Sequence, residues 1–276
     1  MIHYLRFALS LLSIGLLHTA HAADSNAALV LSSPPRGTAE QDTVRFKPIA
    51  DYLSHALGRP VVYQYPGTWG AYQGFMQTDK YDIVFDGPHF VSWRIEKLGH
   101  TAAVRLPGEF VVAAFTRKTE TRFKRIEELK GRRFCGAAQP NLGTLAIYES
   151  FTNPSHQPTL VLTPGWRDIY DTVLAGKKCE AGILPISHIH KFDPNGEQVR
   201  VIYKVPAMPE QAWTTSKRVT TGEREKLVAA LRSPNGKGAL KEFAATYGLQ
   251  RDFVRATNAE YAGLSRYLKN TAGFEK

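Results

Sequence analysis

His188 and His190 stand two residues apart, a spacing that on a β-strand sends both imidazoles to one face. Paired imidazoles chelate a metal when a carboxylate or thiolate converges on them. Asp86 and His89, within Asp86-Gly87-Pro88-His89, are the groups that would do so. The competing reading makes His188 and His190 surface groups on a loop before Asp193-Pro194-Asn195-Gly196. Trp69 with Tyr72, and Trp166 with Tyr170, stand at the starts of two matching helical stretches. Helix N-termini offer free N–H groups and a positive dipole end, which suit an anion. The alternative for these aromatics is packing in the core or between lobes. Cys135 and Cys179 are the two cysteines. In an oxidising compartment they form a disulfide whose loop of about 45 residues contributes about 3–4 kcal/mol in the chain-entropy model; otherwise they are a pair of ligand-binding thiols. No Gly-x-Ser-x-Gly elbow, phosphate loop or His-Glu-x-x-His occurs, so the expectation is a protein that is not an enzyme.

These groups need elements to position them, and the pattern is strand alternating with helix. Residues 28–32 read as a strand and 33–37 as the loop after it. Phe46, Ile49, Ala50, Leu53 and Leu57 recur at spacings of three and four, the apolar stripe of a helix ended by Gly58. Residues 61–65 form a strand, Thr68 caps a helix over 69–78, and strand 82–85 runs into Asp86. A helix carrying Val91, Ile95 and Leu98 follows. A second round repeats the design, with Pro164-Gly165-Trp166 matching Pro66-Gly67-Thr68-Trp69. The pattern predicts an α/β protein of two lobes, each a doubly wound, mostly parallel sheet flanked by helices, with the ligand beyond the carboxyl ends of the strands. Residues 23–110 and 206–276 form lobe 1 in this reading, and 111–205 form lobe 2.

Residues 1–22 carry Arg6, an apolar run over 7–17 and the small-residue site Ala20-His21-Ala22, which reads as a secretory signal cleaved before Ala23. The apolar run is shorter than the roughly 20 residues a spanning helix needs. With no cysteine at the cleavage site, the mature protein is expected free in the compartment it is exported to, without a lipid anchor. Net charge is +10 for the whole chain, which favours anionic partners. The basic runs 122–133 and 218–226 interleave acids and lack the aromatic interleaving of a nucleic-acid groove, so no nucleic acid is expected.

The ordered series Pro48-Ile49-Ala50-Asp51-Tyr52-Leu53, Leu57-Gly58-Arg59-Pro60-Val61, Tyr81-Asp82-Ile83-Val84 with Gly87-Pro88, Glu128-Leu129-Lys130-Gly131-Arg132-Arg133 and Ala256-Thr257-Asn258-Ala259-Glu260-Tyr261 resembles the phosphate/phosphite/phosphonate family of periplasmic substrate-binding proteins of ABC transporters. The resemblance spans essentially the whole mature length. It implies a type II periplasmic-binding fold, a monomer that closes on a small molecule and delivers it to a membrane permease. The same fold also serves sensor kinases, and a metal-delivery protein using Asp86, His89, His188 and His190 is a further alternative. Helix starts, rim loops and resemblance together give the expected ligand set Trp69, Tyr72, Asp86, His89, Asn141, Thr144 and Trp166. Here Thr68-Trp69 replaces the family's Asp-Tyr pair, and Leu142-Gly143-Thr144 follows Pro140-Asn141 where the family has a hydroxyl cluster. Asp86 stands where the family has a small polar residue. An ionised Asp86 facing a dianion would repel it.

Overall fold

The computed structural model describes residues 27–163 and 165–274. The expected signal over residues 1–22 and Pro164 of the second turn lie outside the described residues. Strand β1 (Leu29–Ser32) leads to helix α1 (Ala39–Leu57). The whole predicted stripe of α1, Phe46 to Leu57, is buried. Its end is set by Gly58 at φ 68°, a left-handed conformation that costs glycine nothing. Its start lies further back than the apolar stripe indicates. Thr38 accepts from the Gln41 amide while the Gln41 side chain accepts from the Thr38 amide, a reciprocal cap that satisfies two otherwise orphaned donors.

The chain continues through β2 (Val61–Tyr63), α2 (Trp69–Gln77), β3 (Ile83–Asp86), α3 (Pro88–Trp93), a turn of π-helix over Arg94–Leu98, and β4 (Thr101–Arg105). It crosses by β5 (Glu109–Phe110) into β6 (Val112–Arg117), β7 (Arg133–Gly136), α4 (Leu142–Glu149), β8 (Thr159–Leu162), α5 (Trp166–Ala175), β9 (Ala181–Pro185), α6 (Ile186–Phe192) and β10 (Val199–Lys204). It returns by β11 (Met208–Pro209) to β12 (Ala212–Thr215), α7 (Thr221–Arg232), α8 (Lys241–Tyr247) and β13 (Val254–Arg255).

Two sheets result, ordered β13-β4-β12-β3-β1-β2 and β10-β6-β9-β7-β8. The two crossings pair with each other as the antiparallel ribbon β5/β11. In each sheet the strand delivered by a crossing enters against the direction of its neighbours. Thus β12 is antiparallel to β3 and β4, and β6 is antiparallel to β9 and β10. The remaining α/β connections keep β1, β2 and β3, and likewise β7, β8 and β9, parallel.

One core lies under α1, α7 and α8, where Trp213, Phe85, Phe46 and Phe243 pack with ring centroids 4.8–6.2 Å apart. Another, in the second sheet, holds Phe115, Tyr170 and the Cys135–Cys179 disulfide, which joins β7 to the residues before β9. A third apolar cluster runs from one lobe into the other, through Phe90, Tyr267 and Leu268 to Leu142 and Ala146. The C-terminal segment therefore reaches further than the expected packing on lobe 1. Its turn Leu264–Leu268 lies against both α3 and α4, and Arg266 Nε is 3.1 Å from Glu149 of α4.

Candidate functional site: the cleft between the sheets

The cleft's first wall is built by the carboxyl ends of β1 and β3 and by the start of α2. Asp86 closes β3 and is fully buried, as is Tyr72 one turn into α2. Arg94, in the π turn after α3, is buried with them. Arg94 Nε donates to Asp86 Oδ2 at 2.7 Å, Arg94 Nη2 donates to the Tyr72 hydroxyl at 2.9 Å, and that hydroxyl donates to Asp86 Oδ1 at 2.6 Å. Burial, aided by the Asp86 carboxylate and opposed by the Arg94 charge, pushes the Tyr72 phenol well above its usual range, so it stays protonated. Burial opposes charge on Arg94, yet the Tyr72 and Asp86 oxygens outweigh it and raise its pKa. Asp86 and Tyr72 are thus committed to Arg94. Both Asp86 carboxylate oxygens are engaged, one by Arg94 and one by the Tyr72 hydroxyl, so a buried guanidinium balances the acid that the sequence places in the cleft.

Trp69 remains 36% exposed at the start of α2, with its ring against Tyr72 and Phe90. Thr68 caps the helix by accepting from the Ala71 amide at 3.1 Å. Arg36, in the loop after β1, is exposed, and its Nη1 donates to the Gln211 carboxamide oxygen. His89 is 4% exposed. Its Nε2 meets the Pro140 carbonyl of the other lobe at 3.0 Å, which requires a proton on Nε2. Burial holds its pKa down to about 4, so the ring is neutral. His89 is a contact between lobes.

The second wall is formed by the carboxyl ends of β7 and β9 and the starts of α4 and α5. A cavity of about 30 Å³, lined by Ala137, Asn141, Gly143, Trp166, Ile183 and Pro185 among others, lies at their junction. The Asn141 side chain caps α4 by accepting from the Gly143 amide at 2.9 Å. Thr144 is buried and donates to the Ala137 carbonyl at 2.6 Å, so its proton serves the loop before α4. Trp166 is 38% exposed, and its ring centroid lies 3.9 Å from that of His188.

His188 and His190 lie on helix α6, where residues two apart diverge by about 200°. His188 turns inward to Trp166, with its pKa held down to about 4 by burial and then by Lys191. His190 is exposed. Among the described residues no three His, Cys, Asp or Glu side chains gather as a metal would require. The two-histidine chelate, with Asp86 and His89 as its partners, is therefore corrected. Sequence reasoning also passed over two arginines. Arg94 lies three residues after Val91 and four before Leu98, inside the apolar stripe, and a cation on a buried face needs a partner. Arg36 lies in a loop already expected on the rim.

Among the described residues no helix is long and apolar enough to cross a membrane. A family model described as an ABC transporter, phosphonate, periplasmic substrate-binding protein matches residues 32–261. None of the curated proteins matches the chain. Among solved structures, PhnD1 of Prochlorococcus marinus in complex with methylphosphonate superposes with a TM-score of 0.66 at 15% identity, covering 89% of this chain and 98% of that one. A Xanthomonas citri protein bound to ATP gives 0.68 at 12%, covering 90% and 97%. A binding protein component of an ABC phosphonate transporter from Pseudomonas aeruginosa gives 0.60 at 12%, covering 86% and 83%. At these identities the structures speak for the fold, that of the two-lobed type II periplasmic-binding proteins. With the family model matched over most of its length, the chain belongs to the periplasmic substrate-binding proteins of phosphonate ABC transporters.

Proposed function

We propose that this chain captures a small oxyanion of the phosphonate or phosphate class between its lobes and presents it to an ABC permease. The observation that carries this reading is the Asp86–Arg94 pair. It removes the one acidic group of the cleft that argued against an anion. Favourable to negative charge are the exposed Arg36 on one rim and, beside the cavity on the other, the N-terminal turn of α4, which carries no acid. The mostly apolar lining of that cavity suits a small organic substituent on the anion. In this reading lobe 1 comprises residues 23–110 and 206–276 and lobe 2 residues 111–205, and the protein works as a soluble monomer in the periplasm after loss of residues 1–22.

A thermal-shift screen with methylphosphonate, phosphate, phosphite and sulfate tests this. A ligand present at 100 times its Kd stabilises by about 2.7 kcal/mol, which a melting curve resolves. We expect at least one of these anions to raise the Tm. No rise with any of them at millimolar concentration overturns the reading.

A further inference from the structure

We infer that His89 is an interlobe latch: from α3 of the first lobe, its imidazole holds the Pro140 carbonyl of the second and so positions the start of α4 in the closed cleft. The inference rests on the cleft being the ligand site and goes beyond it by assigning the residue that fixes the closed geometry. His89 is a positioning residue here, acting through Pro140.

The geometry is specific. His89 Nε2 lies 3.0 Å from the Pro140 oxygen, and the ring stacks on Phe90 with centroids 4.1 Å apart. Room for the ring comes from Gly87, where an added Cβ would lie 3.1 Å from Cε1 and 3.2 Å from Nδ1 of His89. Gly87 sits at φ −71° and ψ 158°, a conformation open to any residue, so the missing side chain answers to the ring and not to the backbone. Pro140 directly precedes Asn141, whose side chain caps α4, and Gly143 two residues further lines the cleft cavity. A shift of the Pro140 carbonyl thus reaches the cavity wall within three residues. Separating the lobes would strip this carbonyl of a buried donor, a cost that falls on the open state unless water replaces it.

Double electron–electron resonance between spin labels on Val62→Cys and Leu162→Cys tests the latch. These residues are exposed on β2 and β8, one in each sheet, and the native cysteines are joined to each other. Distances are read without ligand and with added methylphosphonate, in samples whose circular dichroism confirms the fold. We expect His89→Gln, which retains a donor, to keep the wild-type distribution. We expect His89→Leu, which keeps apolar bulk without a donor, to raise the open-to-closed ratio about fivefold, the equivalent of one net hydrogen bond. His89→Ala serves as a second donor-free variant. Donor-free distributions identical to wild type overturn the latch, as does a Gln variant that behaves like Leu. The ligand-free readings keep this result separate from the anion-capture reading, since a failure to bind methylphosphonate leaves them interpretable.

Discussion

Asp86 shows how one carboxylate changes meaning with its neighbours. In the sequence it is an acid in an expected anion cleft; in the fold it is one corner of a buried Asp86–Arg94–Tyr72 triangle. Removing one member of such a pair leaves a buried charge alone, which costs about 3–5 kcal/mol. Arg94→Met is expected to destabilise the protein by that order in urea titration, and Asp86→Asn on that background to restore part of the loss. His89 supplies a pH dependence. An unfolded histidine titrates near 6.5, whereas the folded ring stays neutral down to about 4. Between those values the unfolded chain binds a proton that the native one refuses, so acid favours unfolding. Stability contributed by this group is present above pH 6.5 and falls by about 2 kcal/mol at pH 5. His89→Gln should flatten that part of the stability profile measured by denaturant titration between pH 7.5 and 5.

At the scale of elements, the strands and helices that carry strong local signals were legible. The buried stripe of α1 and its Gly58 stop follow from spacing and from the one residue type at ease with positive φ. Elements specified by few residues were not. Helix α6 buries Ile189 alone, too little periodicity to separate helix from strand or loop, so spacing by itself does not place His188 and His190 on a helix. The start of α1 was hidden because Thr38 and Gln41 lie outside the apolar stripe and Pro48 interrupts it. Pairing partners, including the entry of β6 and β12 against their neighbours, depend on contacts far apart in sequence. The cysteines were legible as a pair, and Cys135–Cys179 ties β7 to the segment before β9 inside the second lobe's core. Reduction is expected to lower stability by about 3–4 kcal/mol, read as a lower urea midpoint. Thiol titration of the denatured, unreduced protein is expected to find no free cysteine.

Across the whole molecule, two sheets joined by paired crossings set two arrays of strand ends and helix starts against one another. The basic runs noted in the sequence are laced with acids in space, as in Arg122–Glu120 at 2.6 Å and Arg133–Glu180 at 3.4 Å, so net charge alone is a poor guide to the ligand. The cleft is the better guide: its acid is neutralised from within, Arg36 stands on its rim, and the acid-free start of α4 lies beside its cavity. Isothermal titration calorimetry of the mature protein with methylphosphonate, phosphate, phosphite and sulfate tests this most directly. The account predicts saturable binding of at least one anion at one site per chain, weakened at least tenfold in Arg36→Gln, as loss of a charged hydrogen bond implies. Absence of saturable heat with every anion, alongside saturable binding of a cationic or neutral solute, would contradict it.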